Sequence, residues 1–251
     1  MDPRFAERYA DLEQWHWWFR GRRRIIEHVV RRAVGGRASL AVASLGGGPA
    51  AGLGWLVPLA GPHGRVVALD AARAHARGLG AGLEYVIGDL AALPLAAASF
   101  DVVLVLDVLE HLDDDAAALA TSAELLRPGG LLLLTVPALP SLWGAQDEVS
   151  HHRRRYTKKS LAQAFARAGL PRPDLAYFNA LLLPPIAVVR WVRRALGRAE
   201  ATRSDFEDNH PGLANELLAR LFALERHLVS RVPLPLGVSL LATLRAPRAA
   251  R

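Results

Sequence analysis

Cysteine is absent from the 251-residue sequence. Its absence excludes a disulfide framework, a thiolate metal site and a cysteine nucleophile. An apolar run long enough to span a bilayer is also missing. The nearly unbroken run at residues 178–189 is too short and contains Pro184 and Pro185. The first residues, M-D-P-R-F, lack a basic region followed by an apolar segment, so we expect no signal peptide and a cytoplasmic location.

Acidic residues are fewer than basic ones. The sequence contains 24 Asp and Glu and 31 Lys and Arg, nearly all of them arginine, which gives a net charge of +7. Outside the loop at residues 147–157, the basic residues are dispersed, and no interleaving with aromatic residues marks a groove for a nucleic-acid strand, which argues against nucleic acid as a partner. The apolar run at 178–189 is followed by Arg190, Arg193 and Arg194. A buried strand and helix start is the first interpretation of this segment, and peripheral contact with the inner face of a membrane is the alternative.

Short apolar runs recur at roughly 20-residue spacing, with helical or glycine-rich segments between them. Strands that alternate with helices in this way predict βαβ units and a parallel sheet. The predicted strands are residues 40–45, 65–69, 83–87, 102–106 and 131–136.

The fourth of these strands has an uninterrupted apolar run, which is typical of a central strand covered by helices on both faces. Asp107, Glu110 and His111 follow it. Because open α/β sheets bind ligands at the carboxyl ends of their strands, we expect a functional site here.

A glycine-rich turn, S-L-G-G-G-P-A-A-G, follows the first strand and contains Gly46 and Gly48. Such a turn lets a cofactor approach the backbone, and the amides of a following helix can receive it. Asp70 ends the second strand, 22 residues beyond Gly48, where a carboxylate can accept both hydroxyls of a ribose. This arrangement fits a nicotinamide dinucleotide or another adenosine cofactor, and a simple strand-end cap is the alternative.

Asp89 follows the third strand directly in the segment V-I-G-D-L-A-A-L-P-L. Its carboxylate can accept a hydrogen bond from an adenine amine while Leu90 packs against the ring. From about residue 40 to 175, the chain resembles the class I S-adenosylmethionine-dependent methyltransferases. The resemblance rests on four ordered motifs: V-V-A-L-D, G-D-L-A-A-L-P, S-F-D-V-V-L-V-L-D-V-L-E-H-L and L-L-R-P-G-G-L-L-L-L-T-V-P.

The resemblance implies an α/β fold: a doubly wound, Rossmann-like sheet of seven strands with an N-terminal helical cap and an inserted helical lid. We expect one domain over 1–251, with the cap at 1–38, the cofactor-binding core at 39–175, and lid helices and terminal strands at 176–251. The last two strands are expected near 175–183 and 236–245. The motifs H-W-W-F-R-G-R and H-H-R-R-R-Y-T resemble those of a bacterial subgroup of the family.

The resemblance also implies that S-adenosylmethionine is the cofactor and assigns residues to its parts. Gly46 and Gly48 would lie beneath the methionine portion, Asp70 and Ala71 at the ribose, Asp89 and Leu90 at the adenine, and Asp107 and Val108 at the amino-acid end. The family usually has an acidic residue where Ser44 stands and a third glycine where Ala50 stands, and Pro49 removes an amide from the turn. A catalytically silent binding module is therefore an alternative to an enzyme, and an NAD(P)-dependent oxidoreductase is a third interpretation.

Glu110, His111 and His152 are the candidate catalytic residues. If a helix begins by Val108, then Asp107, Glu110 and His111 share one face of it. A histidine there can remove a proton from the acceptor. Structural packing of His111 and a metal site, as in the similar magnesium-dependent RNA-end 2'-hydroxyl methyltransferases, are the alternatives.

The loop that contains His152 also carries Arg153, Arg154 and Arg155. Arginine binds carboxylate or phosphate in a bidentate fork, so an anionic acceptor would suit this loop. A solvated hinge is the alternative. We expect a small-molecule acceptor or one linked to a lipid or glycan.

Overall fold

The computed structural model describes residues 9, 11–90, 92–195, 206, 209–229 and 231–248. Seven strands form one sheet in the order β3-β2-β1-β4-β5-β7-β6. Their bounds are β1 Ala41–Leu45, β2 Arg65–Asp70, β3 Leu83–Ile87, β4 Phe100–Leu106, β5 Leu126–Pro137, β6 Asp174–Phe178 and β7 Ser239–Arg245.

The first five strands pair in parallel, with β1 at the centre between β2 and β4. Leu45 of β1 is in register with Leu69 of β2 and Val105 of β4, so these strands end side by side. The apolar residues of β4 and β5 are buried, as expected for strands covered on both faces. This register brings the segments that follow β1, β2 and β4 to one edge of the sheet.

Seven α-helices accompany the strands within the described residues. They are α1 Trp17–Val34, α2 Leu56–Ala60, α3 Asp115–Glu124, α4 Ala145–Val149, α5 Lys158–Arg167, α6 Leu183–Ala195 and α7 Leu213–Leu224. None of the helices in the described part of the chain is both long and apolar enough to cross a membrane.

The chain divides into two compact units. The core unit consists of residues 30–136, 158–175 and 241–251, and the second unit of residues 1–29, 137–157 and 176–240. The predicted cap, core and lid boundaries stay a prediction.

The prediction of five core strands agrees with the structure to within a residue or two, except that β5 starts earlier, at Leu126. The strand predicted at 175–183 is wrong beyond Phe178, because Asn179 adopts a left-handed φ of 56° and α6 follows. Helix α7 ends at Leu224 and is followed by a 3-10 turn over Glu225–His227. The strand predicted from residue 236 begins at Ser239, since the preceding Pro235 and Gly237 favour an irregular backbone.

Candidate functional site

The glycine turn after β1 passes directly over the segment that follows β4. Gly46 and Gly48 have positive φ values of 64° and 69°, which favour glycine. A Cβ on Gly46 would lie 2.7 Å from Cγ2 of Val108, so only glycine allows this approach. The helix that we expected next is replaced by a 3-10 turn at Ala50–Gly52, and α2 begins only at Leu56. Pro49, which has no N–H, precedes that turn.

Asp70 joins this turn to the end of β2. Its Oδ2 accepts a hydrogen bond from the Gly48 N–H at 2.9 Å, and its Oδ1 accepts from the Ala72 N–H at 2.8 Å. The Nδ1 atom of His75 lies 3.0 Å from the same Oδ1. Burial alone would raise the pKa of Asp70, but the hydrogen bonds from His75, Ala72 and Gly48 outweigh it and lower the pKa. Asp70 is therefore an anion at neutral pH.

The sequence did not identify two residues of this group, His75 and Tyr85. The Tyr85 hydroxyl donates a hydrogen bond to the Gly48 carbonyl at 2.7 Å. His75 belongs to a 3-10 segment, Arg73–Ala76, in which no helical or strand period pairs it with Asp70. Only the folded loop reveals this contact.

The residues assigned to adenine lie after β3. Asp89 is exposed, while Leu90 is buried and its carbonyl accepts from the Thr121 hydroxyl at 3.3 Å. The Ala92 N–H donates to the Asp89 carbonyl at 3.2 Å and closes a tight turn. The exposed carboxylate can accept a hydrogen bond from the polar edge of an adenine ring, and the neighbouring leucine can pack against the face of that ring.

Asp107 has an unusual backbone conformation, with φ at 56°. Its Oδ2 accepts a hydrogen bond from the Thr135 hydroxyl at 3.0 Å, and its N–H donates to the Thr135 carbonyl at 2.9 Å. A left-handed non-glycine residue costs on the order of 1 kcal/mol, and such residues concentrate at functional sites. These two bonds to β5 hold Asp107 in place at the sheet edge.

The expectation that a helix begins by Val108 is wrong. Val108 has φ −123° and ψ −42°, Leu109–His111 form a 3-10 turn, and α3 begins only at Asp115 after the N-cap Asp114. The left-handed Asp107 redirects the chain before a helix can start. Asp107, Glu110 and His111 therefore do not share a face of an α-helix. Glu110 is fully buried, and His111 is partly exposed.

His152 belongs to the second unit, and Glu110 and His111 belong to the core unit. His151, with φ at 55°, turns the chain so that the Nδ1 atom of His152 lies 2.9 Å from Oδ1 of Asp147. Asp147 is fully buried and also accepts from the Arg155 Nε–H at 2.7 Å. Burial alone would raise the pKa of Asp147, but bonds to His152 and Arg155 lower it to about 2.

The carboxylate of Asp147 cannot donate, so the Nδ1 atom of His152 carries the proton of that bond. In the neutral ring, Nε2 is then the unprotonated nitrogen. The Asp147 carboxylate thus fixes the orientation of the His152 ring, a contact that sequence reasoning missed because the five-residue spacing matches no helical or strand period.

The chain is similar to known methyltransferases. Residues 44–134 match a family model described as a methyltransferase domain. A probable S-adenosylmethionine-dependent methyltransferase of Mycolicibacterium smegmatis is 30% identical over 65% of this chain and 63% of its own length. A ubiquinone biosynthesis O-methyltransferase of Methylocella silvestris is 32% identical over 47% of this chain and 54% of its own length. The chain therefore spans less than two thirds of the length of either curated relative.

A solved structure shares the fold. In the complex between the Haloferax volcanii Trm112 methyltransferase activator and a methyltransferase, one chain superposes with a TM-score of 0.57 at 20% identity, covering 98% of this chain and 96% of that one. The predicted α/β fold with a Rossmann-like, seven-stranded sheet is confirmed.

Proposed function

We propose that the chain transfers a methyl group from S-adenosylmethionine to a small acceptor or one linked to a lipid or glycan. The match of residues 44–134 to a family model described as a methyltransferase domain supports this proposal. The observation that carries this proposal is the carboxylate of Asp70, held at the end of β2 against the glycine turn that follows β1. This is the place where open α/β sheets bind the ribose of an adenosine cofactor.

The residues at this edge fit the cofactor. A carboxylate has about four lone-pair positions, and the bonds to Gly48, Ala72 and His75 use three of those on Asp70. One position is open to a ribose hydroxyl, and a second becomes available when the His75 side chain turns away. The backbone of Ala71 lies beside this carboxylate, Gly46 and Gly48 would lie beneath the methionine portion, and Asp89 with Leu90 would hold the adenine.

The amino-acid end of the cofactor needs a negative charge, which Ser44 does not provide. Ser44 is buried at the end of β1. Asp107 precedes Val108, which contacts the Gly46 turn, so its carboxylate is the acidic group beside this end of the site. We assign to Asp107 the contact with the cofactor ammonium group.

When bound, S-adenosylmethionine supplies an electrophilic methyl group. The chain's own residues then position the acceptor and remove its proton. His152, oriented by Asp147, accepts that proton at Nε2, and Glu110 and His111 are assigned to the acceptor side beyond β4. The name of the O-methyltransferase relative supports an oxygen as the attacking atom.

The activity test uses isotope-labelled S-adenosylmethionine and fractionated cell extract as the source of acceptor. His152→Ala should lower turnover by roughly 10²-fold, the scale of general-base catalysis, while adenosylhomocysteine affinity stays unchanged. Asp147→Asn should shift the pH profile of turnover, since it removes the negative charge that faces the ring of His152. His63→Ala, at an exposed loop residue, is the matched control. Full turnover in the His152 variant would remove it from the mechanism.

A silent binding module is the second candidate. It is favoured by the buried, uncharged Ser44 and by the 3-10 turn that stands where a helix was expected. Adenosylhomocysteine binding without label transfer to any extract fraction would support it.

A further inference from the structure

Helix α6 presents an apolar face to solvent. Among the α6 residues whose burial the structure describes, the exposed ones recur at the spacing of one helical face and are apolar: Pro184, Pro185, Val188, Val189, Trp191, Val192 and Ala195. Val188 is 60% exposed and Trp191 69%. A globular surface helix normally buries its apolar face and exposes its polar one, so α6 has the opposite orientation.

The opposite face of α6 is held to its own unit by a charged residue. The Arg190 guanidinium donates a hydrogen bond to the Leu142 carbonyl, and its Nη1 atom lies 3.8 Å from Oδ2 of the buried Asp147. The Arg190 side chain is only 13% exposed. The contacts of Arg190 therefore lie on the other face of α6, and the apolar face remains exposed to solvent.

The charge of the segment points to an anionic partner. Residues 175–199 contain no aspartate or glutamate. Besides Arg190, which faces Asp147, they contain Arg193, Arg194 and Arg198. The chain as a whole carries a net charge of +7. A protein partner could match the apolar face, but an apolar face rich in valine and tryptophan, next to a run of arginines, is the composition of interfacial helices.

We propose that the exposed face of α6 is a membrane-contact surface that lies in the headgroup region of a bilayer containing anionic phospholipid. The helix has 13 residues, too few to span a bilayer, so it lies along the interface. Trp191 inserts at the depth that tryptophan prefers at membrane interfaces. The surface is independent of the proposed methyl transfer.

A second helix of the same unit supports the proposal. In α7, the exposed residues Leu213, Leu217, Leu221 and Leu224 also recur at helical spacing. Single exposed leucines are ordinary, but two helices with continuous exposed apolar faces are not.

The test is flotation of the full chain with vesicles of phosphatidylcholine alone or mixed with phosphatidylglycerol. The wild type should float with the mixed vesicles and remain behind with the neutral ones, and added salt should weaken binding. Val188→Asp and Trp191→Asp should each weaken binding by roughly tenfold or more, since each places a charge on the inserted face. Both residues are exposed, so folding should persist, as circular dichroism would verify.

Leu79→Asp is the matched control, because Leu79 is a 49% exposed leucine in the other unit. It should bind vesicles like the wild type. Equal flotation of the wild type and both α6 variants, or no flotation of the wild type, would overturn the proposal. So would a self-association that Val188→Asp abolishes in the absence of vesicle binding, because the face would then join two copies of the chain.

Discussion

At the scale of single residues, His16 has the most strongly perturbed imidazole. It is buried among aromatic rings, with centroids 5.0 Å from Phe206 and 5.5 Å from Trp17. Its Nδ1 accepts a hydrogen bond from the Trp18 N–H at 3.2 Å, and Nε2 has no hydrogen-bond acceptor within the described residues. Burial disfavours the charged ring and lowers its pKa to about 4.

This shift predicts a loss of stability in mild acid. Between pH 6.5 and 4, the His16 ring is protonated in the unfolded state but neutral in the folded state. The free energy of unfolding therefore falls as the pH falls through this window. The full contribution is about 3 kcal/mol, at 1.36 kcal/mol per pKa unit. Urea unfolding at pH 7.5 and pH 5 should show a smaller loss in His16→Asn, whose side-chain oxygen can still accept from Trp18. His63→Asn should behave like the wild type, and equal losses in all three proteins would contradict this account.

Two carboxylates with lowered pKa values have different hydrogen-bond partners. Asp70 accepts hydrogen bonds from two backbone N–H groups and contacts His75. Asp147 contacts His152 and accepts hydrogen bonds from Arg155 and the Gly144 N–H. The sequence marked Asp70 as a candidate because it ends a strand, but it did not mark Asp147, which lies in a loop.

At the scale of elements, the turn after β1 depends on glycine at position 46 for two separate reasons. Its φ of 64° is strained for any other residue, and Val108 fills the space that a Cβ would need. Gly35 has the same φ but no atom within 4 Å of its would-be Cβ. A comparison of alanine substitutions at Gly46 and Gly35 therefore distinguishes the cost of backbone strain from the cost of steric overlap.

Gly46→Ala should lower the free energy of unfolding by more than Gly35→Ala, for which about 1 kcal/mol is expected from backbone strain alone. In a Val108→Ala background the overlap disappears, so the cost of Gly46→Ala should fall toward that of Gly35→Ala. Urea unfolding of the four variants measures this. Equal costs for the two glycine substitutions in the wild-type background would show that the turn relaxes away from Val108.

The sequence predicts elements well where one periodic signal dominates. The short apolar runs in β1, β2 and β4, which recur between helical or glycine-rich segments, were predicted correctly as strands. The segment after β4 was predicted wrongly, because the left-handed Asp107 is stabilised by Thr135 on β5, a residue 28 positions away. The sequence pattern around Asp107 does not reveal a contact with a residue so distant in the chain.

At the scale of the whole molecule, the parallel pairing of the strands could be predicted, and with it a site at their carboxyl ends. The register of β1, β2 and β4 comes only from the structure. The orientation of His152 by Asp147 and the outward apolar face of α6 could not be predicted. Both depend on which groups the fold buries, and burial is a property of the packed chain.

The central claim is that the sheet edge built by Gly46, Asp70 and Asp107 binds S-adenosylmethionine. Titration calorimetry with adenosylhomocysteine, and with NADH in parallel, tests it most directly. The wild type should bind adenosylhomocysteine but not NADH, and Asp70→Asn should weaken that binding by about 1 to 3 kcal/mol, the cost of a lost buried hydrogen-bond partner. Asp174→Asn, at an exposed strand end, should bind like the wild type. Unchanged affinity in Asp70→Asn, or binding of NADH in place of adenosylhomocysteine, would contradict the claim.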